Sequence, residues 1–107
     1  MNLLKLLFKK NKSVSSNDLK ELYKNGATLI DVRTPQEFKG GNIKKSKNFP
    51  LQNIQNQLEE ISKLPKPILA VCRSGNRSGM ATKILNANKI ECYNAGAWDS
   101  FNETLKK

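Results

Sequence analysis

The stretch that most constrains this chain is Ile68 to Asn88, ILAVCRSGNRSGMATKILNAN. It opens on a five-residue apolar run, Ile68 to Cys72, entered past Pro67. A short, branched apolar run of this kind reads as a buried strand. The next residues, CRSGNRSG, are small, polar and basic; after them Met80, Ala81, Ile84 and Leu85 recur at helical spacing. Strand, tight polar loop and helix are therefore expected in that order, with a cysteine at the carboxyl end of the strand.

Open α/β sheets take their ligands at the carboxyl ends of strands. A loop that closes onto a helix start aims several N–H groups at one spot, and the helix dipole adds partial positive charge there. Such a concavity suits an anion. A thiol placed in it is favoured as thiolate, and Arg73 and Arg77 are expected to push the same way. A free cysteine of pKa ~8.5 is only a few per cent thiolate at neutral pH; a fall of about two units, roughly 2.7 kcal/mol, makes it mostly thiolate. The chain has no histidine, so loop amides and arginines must do this. A buried structural cysteine is the competing reading. Arginine is seldom buried without a partner, and two of them favour a loop that faces solvent or an anion.

CRSGNRS, with LIDVRTPQEF before it and Gly96-Ala97-Trp98 after it, resembles the rhodanese domain family, the single-domain sulfurtransferases. The resemblance runs from about Val14 to Leu105. It implies an α/β fold with a mostly parallel central sheet of about five strands flanked by helices. Residues 1–13 are then an N-terminal extension and 14–107 the domain. The implied chemistry is sulfur transfer through a persulfide on Cys72, with Arg73, Ser74, Gly75, Asn76, Arg77 and Ser78 as the substrate-binding loop. Asp31, Arg33, Glu37 and Trp98 would support that loop. The implied partners are a small anionic donor such as thiosulfate, a thiol or cyanide as acceptor and, in a sulfur relay, a partner protein. Asn42 stands where the family usually has a histidine of mainly structural role, and Ala97 where it has a second glycine beside the pocket rim.

Other readings stay open. The domain is also consistent with a persulfide carrier, or with a docking module of little turnover. Cysteine phosphatases and arsenate reductases likewise set a thiolate in an amide nest with a closing arginine, but with one residue more between the two. Here four residues separate Cys72 from Arg77, a tighter nest that suits a sulfane sulfur better than a tetrahedral phosphate. No cofactor, metal, nucleotide or haem site is expected: there is no histidine, no paired cysteine spacing and no phosphate-loop lysine.

A chain of 107 residues holds one core. Nineteen Lys and Arg against nine Asp and Glu give +10. Scattered lysines and few aromatics speak against nucleic acid; an anionic small substrate or acidic partner explains the charge as well, and so does a genome's codon bias toward Lys, Asn and Ile. Two cysteines make no disulfide framework, and an activated thiol fits the reducing cytoplasm. No run is long enough to span a membrane. The start, MNLLKLLFKKNK, reads poorly as a signal peptide; LLKLLF is expected to fold back or fray, with a membrane-surface or partner-docking arm as the alternative.

In chain order, a short strand is expected at Ser13-Val14, then a helix capped by Ser15 or Ser16 and stopped at Asn25-Gly26. ATLIDV, 27–32, reads as a buried strand. Asp31 within it needs a partner, for which the loop arginines are the candidates. Thr34-Pro35 opens a helix carrying Glu37. Lysines 44, 45 and 47 read as a solvated loop, and 48–50 as the end of a short strand. Leu51, Ile54, Leu58 and Ile61 predict an amphipathic helix. Ile90–Asn94 reads as the last strand. Cys92 within it reads as core rather than as a resolving thiol for Cys72.

Overall fold

The computed structural model describes residues 14–107; the arm expected over 1–13 lies outside them. Helix α1, Ser16–Lys24, begins where Ser15 accepts a hydrogen bond from the Asp18 amide and buries Leu19 and Leu22. Strand β1, Thr28–Asp31, follows. Helix α2, Pro35–Lys39, has proline in its first turn and a complete capping box between Thr34 and Glu37. Strand β2 is Lys47–Asn48. A 3-10 helix, Leu51–Gln57, runs into helix α3, Leu58–Ser62. Strand β3, Ile68–Cys72, leads to helix α4, Asn76–Ala87. Strand β4, Cys92–Ala97, leads to helix α5, Trp98–Lys106.

Among the described residues the sheet has four strands, not about five, in the order β2-β1-β3-β4 with every pairing parallel. Val14 joins no strand. The last strand starts two residues later than expected and reaches Ala97, because the glycine-containing run beyond Asn94 continues to pair with β3. The amphipathic helix expected from Leu51 opens as 3-10, but still buries Ile54 and Ile61.

The period-2 alternation of a strand sorts β3 onto two faces. Ile68, Ala70 and Cys72 face a core with Ile54, Ile61, Ala81 and Leu85. Leu69 and Val71 face a second core with Leu19, Leu22 and Phe101. All five β3 residues are buried, as a central parallel strand covered on both faces requires. In α4 the inward positions are Ser78, Ala81 and Leu85. Met80, which opens the apolar helical spacing, is 56% exposed; the inward phase is taken by Ser78, which faces the cysteine.

Candidate active site

Cys72 ends β3, and the chain turns at once into α4. Gly75 makes that turn possible: it is the helix N-cap at φ +99, where an L side chain is strained. The turn brings the Gly75 N–H to 3.0 Å from Cys72 Sγ. It also brings the Ser78 hydroxyl, one turn into the helix, to 3.3 Å. Burial pushes the thiol up, since a charged sulfur loses its water. The Ser78 hydroxyl and the amides of Ser78, Gly75 and Ser74 outweigh that, and Cys72 titrates below the ordinary thiol value.

The arginines behave differently from expectation. Arg77 grips Glu37 with both terminal nitrogens, at 2.7 and 3.0 Å. That bond, more than any other contact, holds the Glu37 carboxyl down at about 2. Arg77 acts on Cys72 through space only. Arg73 is exposed and, among the described residues, forms no ion pair. Asn76, the first residue of α4, is exposed as well.

Asp31 finds its partner locally rather than in the loop. Arg33 forks both carboxylate oxygens, with Nε at 2.9 Å from Oδ1 and a terminal nitrogen at 2.7 Å from Oδ2. The two residues lie on one face of the extended chain, two apart. Both are buried, at 0% and 4% exposure. Arg33 also donates to the carbonyls of Glu37 and Gly41, and its guanidinium lies 4.6 Å from the Trp98 ring centroid. Gly41 packs so close to Trp98 that a Cβ there would meet the ring at 3.1 Å. Asn42 donates to the Phe38 carbonyl at 2.8 Å, a structural bond that an uncharged side chain supplies.

Arg33, Glu37, Arg73, Trp98 and Asp99 line a polar cleft. Val32, Pro50, Leu51 and Arg77 line a more apolar one. The Glu37–Arg77 pair spans the two. The sulfur itself is buried behind the loop. The loop residues Arg73 to Ser78 and the group Asp31, Arg33, Glu37 and Trp98 are thus brought together at one end of the sheet, through Arg77 to Glu37 and through Arg33 to Trp98.

Cys92 is on the wrong end. It pairs with Ile68, at the far end of β3 from Cys72. Four residues of strand put the two cysteines roughly 13 Å apart, beyond disulfide reach. Cys92 is buried, and burial pushes its thiol up to about 12. One residue the sequence reading passed over belongs to the site: Asn94, whose side chain bonds Ser78 and Gly75. A polar residue two before a glycine, at the carboxyl end of a strand beside the nucleophile strand, was the available signal.

Comparison with known proteins agrees with this geometry. The family model of the Rhodanese-like domain matches residues 15–104. The chain is 42% identical over 69 residues to uncharacterized protein YqhL of Bacillus subtilis, a match covering 64% of this chain and 54% of that protein. It thus spans about half the length of that relative. It is 34% identical to thiosulfate sulfurtransferase GlpE of Pseudomonas syringae, over 69% of each chain. The crystal structure of a rhodanese-related protein from Thermoplasma volcanium superimposes with a TM-score of 0.71 at 30% identity, covering 85% of this chain and 90% of that one. A four-stranded parallel sheet, a cysteine-led loop at its carboxyl edge and a family match over nearly the whole length give one answer: the chain belongs to the rhodanese-like domain family.

Proposed function

We propose that the protein is a sulfurtransferase that carries sulfane sulfur on Cys72, taken from thiosulfate or a persulfide donor and passed to a thiophilic acceptor. The observation that carries this reading is the cradle around Sγ: a backbone N–H at 3.0 Å and a buried hydroxyl at 3.3 Å at the amino end of a helix. The Cys72 thiolate attacks the outer sulfur of thiosulfate. A new S–S bond forms, the old one breaks, and sulfite leaves with the electron pair. The enzyme is left with Cys72–S–S⁻. An acceptor such as cyanide or a thiolate then attacks that outer sulfur, and the Cys72 thiolate departs. Loop amides aimed at the nest stabilise charge on the sulfur at both steps.

Arg73, exposed on the rim of the polar cleft, is the cation free to draw in an anionic donor. The name of the Pseudomonas syringae relative, a thiosulfate sulfurtransferase, supports thiosulfate in that role. Arg77 gives both donors of its fork to Glu37, which argues against a phosphatase, where that arginine must close over the oxyanion.

Intact mass after incubation of the reduced protein with thiosulfate tests the reading. A gain of one sulfur atom is expected in the parent protein and in Cys92→Ala, and none in Cys72→Ala. Failure of the folded parent to gain sulfur from thiosulfate and from low-molecular-weight persulfides alike would refute it.

A further inference from the structure

Asn94 sits where β4 slips out of register with β3. Ala70 pairs with Asn94 but Val71 pairs with Gly96, so Ala95 is the extra residue of a bulge. Gly96 has φ +80, and its N–H folds back onto Asn94 Oδ1 at 2.9 Å. Bulges of this kind re-aim side chains beside active sites. Here the Asn94 amide reaches the cysteine loop. Its Nδ2 donates to the Gly75 carbonyl at 3.1 Å, and its Oδ1 accepts from the Ser78 hydroxyl at 2.7 Å. Gly79 leaves the room for this, since a Cβ there would press on Asn94 Nδ2 at 3.3 Å.

The Ser78 oxygen thus stands between two atoms, Asn94 Oδ1 and Cys72 Sγ. Ser78 is fully buried, and its hydroxyl has one proton to give. With Cys72 as thiol, S–H donates to Ser78 Oγ and the Ser78 O–H donates to Asn94. With Cys72 as thiolate, two acceptors want the same proton. We propose that Asn94 is a positioning residue that competes with the Cys72 sulfur for the Ser78 hydroxyl proton, so that the hydroxyl rotates to the sulfur when charge is on Sγ and back to Asn94 when it is not. On ionisation the thiol proton leaves to solvent, and Asn94 Oδ1 keeps the Gly96 N–H, so neither oxygen is stranded. In a persulfide the charge sits on the outer sulfur, and the hydroxyl returns to Asn94. It swings back as Sγ becomes the leaving thiolate. This rests on the reading of Cys72 as the ionising nucleophile and deepens it.

The charged groups on the loop and on the elements around it are Arg73 on the loop, Arg77 on α4, Asp31 at the end of β1 with Arg33 just beyond it, Glu37 on α2 and Asp99 on α5; on β4 the ionisable groups are Cys92 and Tyr93. Cys92, pushed up to about 12, and Glu37, held at about 2, titrate far from the range of interest. Burial also pushes Tyr93 up.

The test is the ultraviolet thiolate absorbance of the reduced, donor-free protein against pH, each variant read against its own Cys72→Ala counterpart to subtract the tyrosines. Asn94→Ala is expected to lower the apparent pKa of Cys72 by about half a unit, the worth of one lost neutral competitor. Ser78→Ala is expected to raise it, and Asn94→Ala added to Ser78→Ala to move it no further. Asn94→Leu, near the amide in shape, gives the same reading if the alanine variant does not fold by circular dichroism. A rise or no change on removing the Asn94 carbonyl, or an equal shift without Ser78, would overturn the proposal and leave Asn94 a brace for the loop. No sulfur donor is present, so these outcomes are independent of whether Cys72 takes up sulfur.

Discussion

Replacing Asp31 by alanine isolates the buried ion pair under the site. Arg33 is 4% exposed and directs Nε and a terminal nitrogen at the two Asp31 oxygens. Without the carboxylate, a guanidinium stays buried with only the Glu37 and Gly41 carbonyls and the Trp98 face for partners. Breaking one side of a buried pair costs about 3–5 kcal/mol. The remaining carbonyl bonds place this case at the lower end, about 3 kcal/mol. Against a total stability of about 5–15 kcal/mol for a small domain, that is a large share. With a urea slope of about 1–3 kcal/mol/M, the unfolding midpoint should fall by roughly 1.5 M, read by circular dichroism. Asp31→Leu with Arg33→Met, which removes both charges and keeps the volume, should recover most of the loss. A fall of under about 1 kcal/mol in Asp31→Ala, or a double variant worse than the single one, would refute the claim that the charge pair and not the local backbone is at stake.

Three further outcomes follow from the site. Cys72 titrates below the ordinary thiol value, so the rate of persulfide formation against pH should inflect below ~8.5. The same downward shift means that the thiolate's contribution to folding is present above the unfolded pKa and lost as pH falls through the folded one. Glu37 is lowered from 4.5 to about 2, so the Arg77 contact should stabilise the fold above pH ~4.5 and fade as pH falls toward ~2. The pair is about a third exposed, so Glu37→Gln should cost only about 1 kcal/mol near neutrality, by urea unfolding, and flatten that acid limb. Arg73→Ala should raise KM for thiosulfate by roughly tenfold with kcat little changed, since it removes a charged contact and not the cradle around Sγ. An equal fall in kcat would mean that Arg73 acts on the transition state instead.

What the sequence made legible was local. The β3 run, the Thr34-Pro35 helix start and the Ser15 cap each depend on residues within one turn or one strand, where period and side-chain chemistry decide. Pairing across distance was not legible. Arg77 and Glu37 are forty residues apart, and nothing in their spacing tells that α2 and α4 start side by side at the sheet's carboxyl edge. Asp31 and Arg33 are the instructive miss. They were near enough to read, because residues two apart in extended chain share a face, yet the loop arginines drew the assignment. Asn94 was hidden for another reason: its direction depends on the bulge at Ala95, and that depends on Gly96 at positive φ. The spacing that begins at Met80 gives the helix but not its phase, since Ser78, Ala81 and Leu85 hold the buried face.

The ion pairs around the cysteine divide the work of the site. Three arginines lie near the cysteine, and two of them, Arg73 and Arg77, are expected from the sequence to activate it. In the fold, Arg33 is committed to Asp31 and Arg77 to Glu37. Only Arg73 remains exposed at the cleft. Stabilising the thiolate then falls mainly to neutral groups, the amides of residues 74, 75 and 78 and one hydroxyl, with Arg77 acting through space. Neutral donors hold charge on Sγ without adding a fixed cation that would also retain the sulfite released in the proposed reaction. A nest of amides with one outlying cation therefore suits the proposed reaction, whose donor, leaving group and intermediate would all be anions, with capture falling to Arg73 and chemistry to the loop.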